Sequence, residues 1–310
     1  MSKLSANYFF PSRLVQTFFL VLFCFFSPAA FAQNSEDDTI KVESSIVVLN
    51  ATVADTKNKI VSGLRQAQFK IFEDGVEQKI EFFEAEETPF AAVILIDTSG
   101  SMEQRVSLAR SATINFLDGL RTKDVAAIYN FDSKVSLVQD FSNSRDIAPS
   151  VFDLKAYGYT VLNDAIVKAA QELSRRPEKR RALIVLSDGA DTKSKYSSDK
   201  ALKAVIAANA TIYTVDMSSA DGGDVRERMQ SQAALKNFAE KSGGLFVATP
   251  GGVAMRETFK NIVQELSMQY TLGYQPLNLK KDGKWRAIEL RIARQNLTIR
   301  TRKGYYAAKN

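Results

Sequence analysis

The apolar positions of this chain change their spacing twice, and each change marks a boundary. Over residues 40–83 they fall into short runs at the strand period of two. Residues 45–53 are one such run, and residues 68–73 are another, with Phe69 and Ile71 on one face. Asp74-Gly75 has the chemistry of a tight hairpin turn, after which residues 76–82 return. From Phe90 onward, continuous apolar runs alternate with helical spacing. The runs predict strands at 91–96, 125–130, 135–138, 182–186, 211–215 and 245–248. Val106, Ala109, Thr113, Phe116, Leu117 and Leu120 recur every three to four residues, as do Leu162, Ala165, Ile166, Ala169, Ala170 and Leu173. Two more helices are predicted over 225–241 and 253–268. After Met268 the alternation returns at 270–274, at Ile288, Leu290 and Ile292, and at Leu297 and Ile299, with a turn at Asp282-Gly283.

Strands separated by helical segments imply βαβ units, so residues 89–268 are expected to form an α/β domain of Rossmann-like, doubly wound type with a mainly parallel sheet. Only Phe131-Asp132-Ser133-Lys134 joins the strands at 125–130 and 135–138. That joint is too short for a crossover, so one antiparallel strand is expected at the sheet edge. The β-rich segments on either side, 40–88 and 269–310, are expected to pack into one accessory module.

The first 32 residues stand apart. Lys3 and Arg13 form a basic start, residues 14–26 an apolar stretch too short to be a membrane span, and Ala30-Phe31-Ala32 a cleavage site before Gln33. This is the pattern of a cleaved secretory signal, leaving residues 33–39 as a flexible start and no membrane span in the mature chain. Phe23 before Cys24 argues against a lipoprotein signal, which has a small residue there. Loss of the signal takes the net charge from +6 to +4 and removes the only cysteine. The chain has no histidine. Ser-His-Asp and Cys-His catalysis and Cys/His zinc sites are therefore excluded, which leaves carboxylate, hydroxyl, lysine or hard-metal chemistry. The basic residues of the C-terminal segment, Arg286, Arg291, Arg300 and Arg302 among them, read as a solvated strand face and not as a nucleic-acid interface, since no RNA or DNA motif accompanies them.

Within that remaining chemistry, one stretch stands out. Residues 91–102 read AAVILIDTSGSM: a buried strand that ends in Asp97, Ser99 and Ser101. Such side chains cost free energy in a core, and open α/β sheets bind ligands at this end of their strands. Residues 183–189 repeat the logic and end in Asp188, while Thr160 opens a helix behind the Gly158 turn. Two converging carboxylates with hydroxyls around them and no histidine fit a hard cation, and Mg²⁺ keeps open positions in such a site. Simple helix capping by Ser99 and Ser101 is the bland alternative. An aspartic protease is disfavoured because the glycine after Asp97-Thr98 comes one residue late and no second copy exists. A dehalogenase-type phosphatase would need an acid at Ser99, and no P-loop is present. Asp132 and Asp191 read as solvated loop acids near the same rim, and Tyr157, Tyr159 and Tyr196 as aromatic rim candidates.

With its later threonine and aspartate, Asp97-x-Ser99-x-Ser101 resembles the metal-ion-dependent adhesion site of the von Willebrand factor A (VWA) family. The resemblance runs from Phe90 to about Met268. It implies that Ser99 and Ser101 bind the metal directly, that Asp97 and Asp188 act directly or through water, and that Thr160 joins them. The implied ion is Mg²⁺, with Mn²⁺ or Ca²⁺ possible. The implied function is a bacterial exported adhesion-type protein, not an enzyme, that captures an Asp or Glu carboxylate of a protein partner. A metal-dependent hydrolase and an envelope scaffold are the alternatives. The periplasm, the cell surface and the medium are all open as destinations. In the family the last helix of the domain can shift on ligand binding, which here would move residues 253–268 against the accessory module. The flanking Glu73-Asp74-Gly75, Leu272-Gly273-Tyr274 and Gly304-Tyr305 also resemble bacterial secreted proteins that carry such a domain.

Overall fold

The computed structural model describes residues 46–85, 88–218, 224–248 and 252–309. The expected signal segment and the start at 33–39 lie outside them. The chain opens with strands β1 (Val47–Asp55), β2 (Phe69–Glu73), β3 (Val76–Gln78) and β4 (Ile80–Ala85). The α/β part follows: β5 (Phe90–Asp97), α1 (Val106–Asp118), β6 (Val125–Phe131), β7 (Val135–Ser142), α2 (Leu162–Ser174) and β8 (Arg180–Ser187). It continues with α3 (Ser198–Ala207), β9 (Ala210–Asp216), α4 (Val225–Ser242), β10 (Phe246–Val247) and α5 (Gly252–Met268). The chain closes with β11 (Tyr270–Tyr274), β12 (Trp285–Ile292), β13 (Leu297–Arg300) and β14 (Gly304–Tyr306).

The central sheet has the order β10-β9-β8-β5-β6-β7. All its pairings are parallel except β6 with β7, so the antiparallel strand sits at the edge as the short joint requires. Every residue of β5 is buried, because helices cover both faces. Ala92, Ile94 and Ile96 pack with α1 and α5. Ala91, Val93 and Leu95 pack with α2, α3 and α4. This is the doubly wound α/β architecture. Strand β7 runs four residues beyond its sequence expectation, to Ser142, and β10 is shorter than expected.

The flanking segments do form one module, and their strands interleave. One sheet has the order β13-β1-β11-β4 and the other β14-β12-β2-β3. Leu49, Ile71, Tyr270, Leu272 and Leu290 meet in the core that these sheets share. The solvated-face reading of the C-terminal arginines is overturned for three of them. Arg286 is 4% exposed and pairs with Asp282 at 2.9 Å. Arg300 pairs with buried Glu265 of α5 at 2.5 Å. Arg302 donates to the carbonyls of Val48 and Ile206. Arg286 shares the inward face of β12 with Ile288 and Leu290, while Arg300 and Arg302 lie where α5 and α3 of the α/β part cover the strand face.

Candidate metal centre

The end of β5 is a loop held by its own backbone. Thr98 is buried, its N–H donates to the Phe131 carbonyl at 2.8 Å, and Asn130 donates to its hydroxyl at 3.1 Å. These bonds tie the loop to β6. Gly100 N–H reaches the Gly158 carbonyl at 3.2 Å, and Tyr157 N–H reaches the Thr98 carbonyl at 2.8 Å. The loop that carries Thr160 is thereby fastened to the loop that carries Ser99 and Ser101. Gly158 has φ +78°, and a Cβ there would lie 2.5 Å from the Ser133 hydroxyl, so this crossing needs a glycine.

The serine hydroxyls do not cap a helix. Helix α1 begins at Val106, several residues on, and the short 3₁₀ turn over 100–102 receives no side-chain cap from Ser99. The Ser99 and Ser101 hydroxyls lie 3.2 Å apart instead. Oxygens at right angles around Mg²⁺, each about 2.1 Å from it, stand about 3 Å apart. The spacing fits that geometry.

Asp97 is fully buried. Its carboxylate accepts the Ser99 N–H at 2.9 Å and the Ser187 hydroxyl at 2.5 Å. Burial, followed by the charge of nearby Asp188, pushes its pKa up to about 7 against the restraint of those hydrogen bonds. Asp188 follows β8 directly, so in the parallel register Ser187, and not Asp188, stands beside Asp97. Sequence reasoning brought the two acids close together, as the charge of Asp188 acting on Asp97 shows, and missed Ser187. The residue before a strand-end acid is the signal that could have found it. Gly189 behind Asp188 has φ +82°, and a Cβ there would lie 2.6 Å from the Ser231 carbonyl.

Thr160 is 3% exposed, and its carbonyl accepts the N–H groups of Thr192 and Lys193, both at 3.0 Å. That bond links the Thr160 loop to the loop after Asp188, so all three loops of the candidate site are tied together. Ser101 and Asp188 border a cleft of about 420 Å³ whose far wall includes Glu227 and Arg228 of α4. Asp191 and Asp132 have local duties. Asp191 accepts the N–H groups of Asn163 and Ser194, and Asp132 that of Lys134. Tyr157 and Tyr159 are 81% and 59% exposed beside the site, while Tyr196 packs against the core. Among the described residues no three acidic, histidine or cysteine side chains converge. The donor set is two carboxylates with hydroxyls, which is hard-cation chemistry.

Residues 92–190, from β5 through the Asp188 loop, match the family model of the von Willebrand factor type A domain. The chain carries a von Willebrand factor type A domain. The protein sll0103 of Synechocystis sp. strain PCC 6803 is 27% identical over 189 residues, which is 58% of this chain and 42% of that one. The chain thus spans about two-fifths of the length of that relative. A von Willebrand factor type A protein of Catenulispora acidiphila superposes with a TM-score of 0.49 at 14% identity, over 87% of this chain and 75% of that one. The corresponding domain of the pilus tip protein Mfa5 of Porphyromonas gingivalis gives 0.48 at 14% identity, over 58% and 95%.

Proposed function

We propose that the A domain holds a divalent cation, Mg²⁺ in the first place, with Ser99, Ser101, Thr160, Asp97 and Asp188, and that it docks an acidic side chain of a protein partner there without catalysing a reaction. The observation that carries this reading is the Ser99–Ser101 hydroxyl pair, 3.2 Å apart and free of capping duty, beside a buried aspartate that faces a second acid. Neutral hydroxyl ligands leave a cation electron-poor, so it supplies an open position for an outside carboxylate. The protein's own groups do the rest. Asp97 is held by Ser187 and by the Ser99 N–H, and Thr98 anchors the loop to β6. The cleft beside Asp188 gives a partner side chain a way in. A hydrolase would need a general base, and histidine, the side chain most often used for that role, is absent from the chain. In this reading the chain is exported and meets its partner outside the cytoplasm.

Isothermal titration of the exported protein with Mg²⁺ tests the site. Wild type is expected to bind one ion, Asp97→Ala and Ser99→Ala to lose binding, and the purified chain to begin at Gln33. A wild type that binds no divalent ion removes the metal site, and a retained signal segment removes the export.

A further inference from the structure

A second surface lies at the opposite end of the parallel strands from Asp97, where the A domain meets the accessory module. Two cavities of about 670 and 370 Å³ share Lys203, Ile206 and Tyr306 and so form one trough between α3 and β14. Its buried floor is aliphatic, with Val47 of β1 and Leu202 and Ile206 of α3. Its rim is cationic, with Arg181, Lys203, Lys241, Arg302 and Lys303. Asp199 is the one carboxylate among the described residues that line it.

None of those five cations has an ion-pair partner among the described residues. Arg181 donates to the carbonyls of Arg176, Glu178 and Ala208. Arg302 donates to those of Val48 and Ile206, and its Nε is buried with no partner. Burial lowers the pKa of Arg302 to about 10, the direction a guanidinium takes when no carboxylate faces it. Lys203 has only the face of Tyr306, 4.8 Å away. Carbonyls and rings are neutral, so five positive charges gather here with Asp199 as the one carboxylate in the lining. Their mutual repulsion works against the fold unless a ligand offsets it.

We propose that this trough binds an acidic, partly apolar peptide segment of a partner protein. The cationic rim calls for carboxylates. The aliphatic floor chooses among polyanions. Trp285, Tyr305 and Tyr306 also line the trough, but Trp285 and Tyr306 stand edge to face with each other and Lys203 and Arg302 lie over the rings of Tyr306 and Tyr305, so the flat platforms that nucleic acids stack on are already taken, whereas Val47, Leu202 and Ile206 offer a surface for leucine- or valine-sized side chains. An extended peptide that alternates acidic and apolar residues sends one kind to the floor and the other to the rim. This site shares no residue with the candidate metal centre and does not depend on it.

The test is fluorescence anisotropy of the full chain with a labelled twelve-residue peptide of alternating glutamate and leucine, in EDTA. Binding is expected to weaken about tenfold or more in the exposed double variant Lys203→Glu/Lys303→Glu, and to weaken at about 0.5 M salt. Lys134→Glu, in the turn between β6 and β7 at the other edge of the central sheet, is expected to bind as wild type does, and circular dichroism checks that each variant is folded. Absence of binding by wild type overturns the proposal. So does affinity that the double variant leaves unchanged, or tighter binding of oligothymidylate or alginate than of the peptide.

Discussion

Asp97 accepts two hydrogen bonds and still shares its surroundings with a second acid, so its proton equilibrium is a direct readout of the site. Its folded pKa of about 7 lies above the 3.8 of an ordinary aspartate, and the folded state therefore holds this proton more tightly than the unfolded chain does. The stability that this contributes is whole below about pH 4 and is lost as pH rises through about 7. Thermal melts in EDTA, compared with Asp97→Asn, should show the wild-type advantage shrinking over that range. At the proposed metal site Mg²⁺ would compete with the same proton, and its affinity should then climb over the same interval. A difference between the two proteins that stays flat with pH would remove the coupling. At this scale the sequence was legible where a residue type contradicted its place, as with Asp97, Ser99 and Asp188 at the ends of apolar runs. Ser187 and Thr98 were not legible. Each is a small polar residue at the end of an apolar strand, and only the parallel register and the contact with Phe131 reveal what they hold.

Helix α5 is fastened along its C-terminal half. Glu265, 3% exposed, accepts hydrogen bonds from Thr52 of β1 at 2.9 Å, Tyr213 of β9 at 2.8 Å and Arg300 of β13 at 2.5 Å. Arg180, fully buried at the start of β8, donates to the carbonyls of Leu266, Ser267 and Gln269 and to the Thr271 hydroxyl, and so closes the end of the helix. Any shift of α5 against the module has to break a buried carboxylate from its two donors there, Thr52 and Arg300. Glu265→Ala should cost ~3 kcal/mol in chemical denaturation, because it leaves Tyr213 and Arg300 unpaired. A cost under about 0.5 kcal/mol would mean that the network is not a fastening. The four longest helices were readable from apolar spacing. Helix α3 was not singled out, being only ten residues long with Ala201, Leu202, Val205 and Ile206 as its buried positions. Strand β14 has three residues, too few for a period to register.

The accessory module and the A domain are built through one another. Strand β1 lies between β11 and β13, and β2 between β12 and β3, so neither end of the chain has a complete sheet alone. Changes of spacing at 89 and 268 mark where β4 gives way to β5 and α5 to β11. The partnering across them was not legible, because period tells which face a residue takes and not which strand lies beside it. Calorimetry of the whole chain should give a single transition. A chain ending at Met268 should lose the module's core, with Leu49 and Ile71 exposed, and should aggregate or bind hydrophobic dye; two separate transitions in the whole chain would contradict this. The pairing of Val47 with Tyr274 also sets an order in time. As the chain emerges from a ribosome or a membrane channel, β1 comes out with its edges bare and meets β11 only when the whole α/β part has passed. Until then an apolar strand waits unpaired, a state that invites association with other chains. Strands β11 and β13, made after the whole α/β part, are therefore the ones that end the exposure of β1.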